Sequence, residues 1–461
     1  VSGGREHDRP AVVWFRDDLR VADNPALRAA ADSGRPVLCV YVWDDQSPEV
    51  RAPGGAARWW LHHSLTSLAA SLEGLGASLV ILRGPAEQVI AELLRDTAAA
   101  AIFWNRRYGA ERHIDEAIKT AARADGVEAT SFGANLLFEP WTIRTGSGTP
   151  FSVYTPFWRA CLSSPDPRKP LPAPDHLDGV AWTPPSVVQL DELGLLPTHP
   201  DWAGGLREAW KPGEAAAHRQ LTAFVSGDLP DYRHDRDRPG VDATSRLSPR
   251  LRWGELSPHQ VWHATSDARD RSTAEGASTF LSELGWREFA YHTLFERPDL
   301  ATVNIHREYD SFPWPQLDRS ALVAWQQGRT GVPLVDAGMR EVWTTGVMHN
   351  RVRMVTASFL IKNLLIDWRL GEQWFWDTLV DADPANNPFN WQWVAGSGAD
   401  AAPYFRVFNP ELQRDKFDPD GDYVRRWVPE WDTPAYPEPI VDLAETRRAA
   451  LAAYDQVKRS R

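Results

Sequence analysis

A single change of rhythm constrains this chain more than any other feature. Residues 11–132 alternate short apolar runs with helical periodicity, and from about residue 205 onward strand signals vanish. Segments 11–15, 36–43, 78–83, 101–104 and 127–132 read as buried strands, with 25–31, 55–75, 85–97 and 110–123 as the intervening helices. Asn24-Pro25 supplies an N-cap and a first helical residue. Such alternation predicts a parallel sheet covered by helices on both faces. Beyond it, 278–295, 332–345, 351–367 and 373–380 read as helices. Twelve of the 36 prolines fall between Pro140 and Pro200, which predicts a long connector wrapped on the surface. The fold class expected is α/β plus all-α. An N-terminal Rossmann-like parallel-sheet domain (9–135) is joined by a Pro-rich linker (136–205) to an all-helical domain (206–461). A chain of 461 residues also exceeds what one core usually holds.

What is missing narrows the chemistry. No strand is followed by Gly-x-Gly-x-x-Gly, and there is no Walker Gly-Lys-Ser/Thr and no His-Glu-x-x-His. No apolar run reaches the roughly 18 residues of a membrane span, and residues 1–10 are too polar for a secretory signal. Cys39 and Cys161 form no Cys-x-x-Cys or zinc pattern and read as reduced thiols, so the expected location is the cytoplasm. The net charge of −12 argues against a bulk basic coat, although 44 of the 50 basic residues are Arg and local patches are compatible with it. The oddity is 23 Trp, many beside Asn, Arg or Asp, which suggests stacking surfaces as well as core.

Three segments concentrate polar chemistry. In Met348-His349-Asn350-Arg351-Val352-Arg353-Met354, helical geometry puts Asn350, Arg353 and Met354 on one face, with Arg351 turned about 100° from Asn350. A solvated, charged helix start is the plain alternative. Asp381-Ala382-Asp383-Pro384-Ala385-Asn386-Asn387-Pro388-Phe389-Asn390-Trp391-Gln392-Trp393 reads as irregular because of its prolines. Its two carboxylates suit a hard cation, but the further ligands of a calcium loop are missing, so no metal is expected. Thr244-Ser245-Arg246-Leu247-Ser248 offers hydroxyls, a cation and N–H groups to a phosphate at a predicted helix start.

Taken in order with Trp14-Phe15-Arg16-Asp17-Asp18-Leu19-Arg20, Asp23-Asn24-Pro25-Ala26-Leu27, Ala402-Pro403-Tyr404-Phe405-Arg406 and Phe408-Asn409-Pro410, these segments resemble the photolyase/cryptochrome family along nearly the whole chain. The specific match is to class I cyclobutane pyrimidine dimer photolyases. That resemblance implies FAD in the helical half and a light-driven lyase that repairs DNA. Tyr232, Thr244, Ser245, Arg246, Leu247, Ser248, Phe280 and Arg287 match cofactor-binding positions, mostly toward the phosphates and ribose. Arg353 and Asp381 match an ion pair beside the flavin ring, with Asp383 close by, and Asn387 matches the residue facing flavin N5. An amide there serves neutral and reduced flavin alike, whereas a carboxylate would repel the reduced, charged ring. Glu283, Trp286, Asn350, Arg351, Met354 and Trp393 match the dimer pocket, and Arg236, Arg406 and Gln413 further DNA contacts. Glu283, Asn350, Met354 and Asn387 are the expected catalytic set. Apolar faces would replace the lost stacking of a flipped-out dimer while polar groups meet its carbonyl edges. Trp391, Trp368 and Trp314 match an electron-transfer chain, with the outermost position contested by nearby Trp325.

The expected partner is UV-damaged DNA carrying cyclobutane pyrimidine dimers, with no membrane, no obligate protein partner and a monomeric state. Val347 stands where many relatives carry an aromatic, and the Tyr108–Glu111 stretch is short for a folate site, so an antenna chromophore (folate or deazaflavin) stays open. Two rivals share the fold. A cryptochrome-type photoreceptor without repair is disfavoured by Asn387, where plant members place Asp, and by the retained Trp286, Met354 and Glu283. Repair of the (6-4) photoproduct needs two His at the positions of Asn350 and Met354, and neither side chain transfers a proton near neutral pH.

Overall fold

The structure, a computed structural model, describes residues 9–184, 186–401 and 406–459. Most of the polar N-terminal stretch and the Ala402–Phe405 part of the last family motif lie outside the described residues.

Five strands, β1 (Ala11–Phe15), β2 (Val37–Trp43), β3 (Leu79–Arg83), β4 (Ala101–Asn105) and β5 (Glu128–Phe132), form one sheet in the order β3-β2-β1-β4-β5. Every pairing is parallel. Helices α1 (Pro25–Asp32), α2 (Gly55–Leu75), α3 (Ala86–Asp96) and α4 (Arg112–Ala124) make the crossovers. The three central strands β1, β2 and β4 are buried on both faces, which explains their unbroken apolar runs. The Asn24 side chain accepts from Leu27 N at 3.1 Å and Pro25 begins α1, as the sequence predicts.

Residues 133–205 are not simply a surface wrap. They contain a helix, Tyr154–Leu162, whose Phe157 and Cys161 are about 1% exposed, and short bridges to the sheet at Gly179 and Val187. Prolines mark the turns, but apolar residues between them are spent on both halves.

The rest is helical. Ala274–Glu296 is the longest element, and Pro333–Thr345, Asn350–Ser358, Trp368–Thr378 and Asn386–Ala395 pack beside it or on one another. Two expectations need correction. The predicted helix 351–367 is broken: after Ser358 it widens into a π-helical turn, Phe359–Asn363, and Asp367 caps the next helix by accepting from Arg369 N. The stretch 381–393 is irregular only to Ala385, and a regular helix runs from Asn386 through Pro388 to Ala395. Pro388 falls in the first turn, where its missing N–H has no intrahelical partner to lose.

The halves share a core. Trp253, Val380, Leu206 and Trp210 from the helical half pack with β1, β2 and α2 in one apolar cluster. Glu288, 0% exposed on the long helix, accepts from Leu137 N at 2.8 Å and Phe138 N at 3.1 Å, tying the connector down. Burial pushes its carboxyl up to about 8, against the opposing pull of Arg287. A carboxyl that holds its proton more tightly when folded favours the fold most at low pH. Stability is therefore expected to fall, by about 1.4 kcal/mol per pH unit from this group, as pH rises from the ordinary carboxylate range to about 8. Urea unfolding of Glu288→Gln across that window should lack the slope. An unchanged slope would place its origin elsewhere.

Candidate functional site

A cavity of about 490 Å³ opens in the helical half, and the long helix, the Asn350 helix and the Asn386 helix form its walls. Of the residues expected to hold cofactor, Tyr232, Ser245, Leu247, Ser248, Phe280, Arg287, Arg353, Asp381, Asp383 and Asn387 line it. Thr244 and Arg246 do not. They line a second cavity of about 370 Å³ on the other side of the same loop. Of the residues expected to meet DNA, Arg236, Glu283, Trp286, Asn350, Arg351, Met354 and Trp393 line the large cavity. Arg406, exposed, and Gln413, half-buried, lie outside its lining.

The walls grade from polar and buried to open. Asp381, Asp383 and Asn387 are buried, Trp286, Met354 and Trp393 are half-buried, and Asn350 is exposed. Arg353 Nη2 donates to both Asp381 oxygens, at 2.8 and 3.1 Å, and Ser248 Oγ donates to Oδ2 at 2.6 Å. The pair puts a cation at the wall without an unbalanced buried charge. Asp383 takes N–H groups from Ala385 and Asn386 and starts the next helix, while burial raises its carboxyl.

Asn387 is fixed in one orientation. Its Nδ2 donates to Glu372 O at 3.1 Å and Glu372 Oε1 at 2.8 Å, so Oδ1 is the group it presents to the cavity. Glu372 is in turn held by Arg51 through two bonds of 2.6 and 2.8 Å. Sequence reasoning missed both. Their separation of 321 residues leaves no local signal, although Glu372 is 1% exposed in a helix otherwise buried through apolar residues.

At the open end, Arg236 pairs with Glu283 at 2.5 Å and Arg351 with Asp237 at 2.8 Å. Trp286 lies flat on Tyr154, with centroids 3.7 Å apart and planes at 12°. Tyr154 comes from the connector helix and donates to Ser282 O at 2.6 Å, so the wall plane is set from outside the helical half. Tyr154 and Asp237 were also missed, the first because its partner is 132 residues away.

The three chain tryptophans belong to one apolar cluster of the helical half, with Trp391 and Trp368 inside it and Trp314 packed against it. Trp391 lines the cavity, and the Cβ of any residue replacing Gly371 would fall 2.1 Å from its ring, so glycine lets the Trp368 helix approach. Trp368 and Trp314 line a separate small cavity of about 10 Å³, with Trp368 Nε1 donating to Asn304 Oδ1 at 3.0 Å. Trp314 is half-buried and packs on Phe312 at 4.3 Å. Trp325 is fully buried and meets the Trp391 ring edge-on at 6.3 Å, which removes it from the outermost position.

Near the sheet, Glu111 is half-buried, with its carboxyl raised by desolvation and Oε1 accepting from Gly109 N at 3.3 Å. Among the described residues no group of three or more potential ligands could hold a metal, and no helix is long and apolar enough to cross a membrane.

The phosphate fit can be tested on the backbone. Arg246 has φ +51° and Leu247 φ −88°, ψ −6°, an αL-αR pair that aims successive N–H groups into one concavity. Ser245, Leu247 and Ser248 bring that concavity to the large cavity, whose aromatic walls and fixed amide suit a flat, polar-edged ring system. These residues fit a dinucleotide.

Comparison with known proteins agrees. Residues 11–175 match the family described as DNA photolyase, and residues 280–434 the FAD binding domain of DNA photolyase. A deoxyribodipyrimidine photo-lyase from Agrobacterium fabrum is 48% identical over 478 residues, covering 98% of each chain. Cryptochrome-1 from Arabidopsis thaliana is 36% identical, covering 97% of this chain and 70% of that one. The crystal structure of a bacterial class III photolyase from Agrobacterium tumefaciens superposes with a TM-score of 0.94 at 47% identity, covering 99% of each chain. That relative is described as class III, so the match to class I members carries no further than the family. With an FAD-binding half, a parallel-sheet half and full-length likeness at this identity, the chain belongs to the DNA photolyase/cryptochrome family.

Proposed function

We propose that the protein is a light-driven DNA repair enzyme that splits cyclobutane pyrimidine dimers. The observation that carries this reading is the gradation of one cavity. Its inner wall has the Arg353–Asp381 pair and the Asn387 oxygen, and its mouth has Trp286, Trp393 and Met354 beside Glu283 and Asn350. Reduced FAD, when bound, supplies on blue-light excitation the electron that opens the cyclobutane ring, and it takes that electron back.

The chain's own residues bind, orient and exclude. Trp286 and Trp393 offer ring faces to the two linked pyrimidines of a dimer taken out of the stack. Asn350 and Glu283 meet carbonyl and N–H edges, and Arg236 and Arg351 sit where the distorted backbone would pass. Their acidic partners, Glu283 and Asp237, keep both guanidinium groups aligned before DNA arrives. Arg406 and Gln413 extend the contact outward. Phosphate contacts of this kind make binding salt-dependent in spite of the net charge of −12. Trp391, Trp368 and Trp314 carry a hole from cofactor to surface, because indole is oxidisable and the last of the three, Trp314, is half-buried rather than buried. The division into 9–135, 136–205 and 206–461, a monomeric state without an obligate protein partner, and a cytoplasmic location belong to the same reading.

The likeness to a cryptochrome favours a second reading, a photoreceptor without repair. Chemically reduced protein mixed with dimer-containing DNA decides between them. Blue light should restore the undamaged bases, and absence of repair by flavin-loaded, reduced protein would sink the proposal. The absorption spectrum of the same sample shows whether an antenna accompanies FAD.

The pocket wall gives a sharper check. Trp286→Ala should cost about 1–3 kcal/mol of binding to dimer-containing DNA, the usual worth of one stacked base. Flavin content should stay normal. Unchanged affinity would assign Trp286 to packing against Tyr154 alone.

A further inference from the structure

The loop Thr244–Ser248 is a partition, with the large cavity on one side and the 370 Å³ cavity on the other. From behind, beside the Arg246 guanidinium packed over Trp210 at 4.4 Å, an amide holds the loop's backbone. Gln220 Nε2 donates to Ser245 O at 2.8 Å and to Arg246 O at 2.7 Å. Gln220 Oε1 accepts from Arg250 Nε and Nη2, both at 3.2 Å. The opposite amide orientation would set an oxygen against two carbonyls and an NH₂ against a guanidinium, so the assignment is chemically forced.

In a trans peptide the C=O and the following N–H point in opposite directions. Pinning the Ser245 and Arg246 carbonyls backward therefore turns the N–H groups of Arg246 and Leu247 forward. That is the αL-αR concavity described above, and Arg246 sits at φ +51° to form it. The left-handed region is strained for a non-glycine residue, so something must hold it there.

The holder is itself anchored. Arg250, 3% exposed, donates Nη1 to Glu255 Oε2 at 2.7 Å. Glu255, 0% exposed, also accepts from Gly213 N at 2.6 Å, Trp60 Nε1 at 3.0 Å and Ser64 Oγ at 2.5 Å. Trp60 and Ser64 belong to α2 of the sheet half. The relay thus runs from α2 through Glu255, Arg250 and Gln220 to the back of the loop.

We propose that Gln220 is a positioning residue for the FAD diphosphate, presenting the loop's N–H groups through its two carbonyl bonds and braced by Arg250 and Glu255 against the sheet half. This rests on the reading of Thr244–Ser248 as the phosphate loop.

The test uses purified holoenzyme and follows release of flavin by its fluorescence after dilution. Gln220→Glu still accepts from Arg250 but cannot donate to either carbonyl, and Gln220→Met removes both ends at similar volume. Both are expected to release FAD about 10–100-fold faster than the parent, the worth of two hydrogen bonds. In Gln220→Glu the ³¹P signals of bound FAD should shift while the visible absorption of the isoalloxazine stays put, a pattern that general loosening would not give. The paired variant Ser245→Ala/Ser248→Ala, at two hydroxyls that line the large cavity, tests the loop itself. If it releases flavin faster while both Gln220 variants behave as the parent, the positioning role is overturned and the phosphate loop stands. If all three behave as the parent, the loop does not hold the diphosphate, and the proposal falls with it.

Discussion

Illuminated, oxidised Trp391→Phe protein is expected to stay oxidised even with an external reductant present. Trp391 is the member of the proposed chain that lines the cavity, whereas Trp368 and Trp314 line a separate small one. Phe keeps most of the ring volume against Phe375 and Trp325, so packing should suffer little. It is much harder to oxidise, and the photoreduction rate should drop by orders of magnitude. Chemically reduced Trp391→Phe protein should still repair dimers, because that electron does not travel along the chain. Asn350→Ala should do the reverse, sparing photoreduction and harming repair. Normal photoreduction by Trp391→Phe would mean that another route carries the hole. Failure of the reduced variant to repair would give Trp391 a part in holding substrate.

Asp381→Ala should produce the largest loss of cofactor. The carboxylate is 3% exposed and satisfies both Arg353 and Ser248, so truncation leaves a guanidinium at the cavity without its ion-pair partner. Breaking a fully buried pair costs about 3–5 kcal/mol. Arg353 is 27% exposed, and water in the cavity screens it, so about 2 kcal/mol in urea unfolding is the fair figure. The flavin-to-protein ratio of the purified variant should fall well below the parent's. Asp381→Asn keeps an acceptor for both partners and should lose less. Equal stability and equal flavin content in Asp381→Ala would show the pair to be incidental.

Much of this architecture was legible in the sequence for a simple reason. Strands buried on both faces write continuous apolar runs, and Asn24-Pro25 writes a helix start that the chain then uses. The predicted strands and crossover helices therefore fall within a residue or two of the observed ones. The breaks were harder. Nothing in Ser358-Phe359-Leu360 announces a π-helical turn, because an inserted residue leaves helical periodicity nearly intact. Pro388 misled in the opposite direction, since a proline in the first turn is a helix former's residue and not a breaker.

For the site, the motifs brought most of the expected residues to one cavity, yet the groups that aim them came from far away in the chain. Asn387 points as it does because of Glu372 and Arg51. Trp286 is flat because of Tyr154, and Arg351 is aligned by Asp237. Such pairs have no spacing to read. Thr244 and Arg246 show the converse. Their position in the loop was predicted, but a loop has two sides, and only coordinates say which side a carbonyl or a side chain takes.

The Arg51–Glu372–Asn387 chain also sets a rule for building hybrids. Arg51 lies in the sheet half, before α2, and it ends a line of contacts that leaves one oxygen facing the cofactor cavity. A chimaera that joins a relative's α/β half to this helical half inherits the oxygen's orientation only if the donor brings a fork-shaped cation to that spot. Lys would offer a single point contact and let the carboxylate rotate. Exchanging the α/β half would then alter the group presented to the cofactor cavity as well as the sheet domain itself.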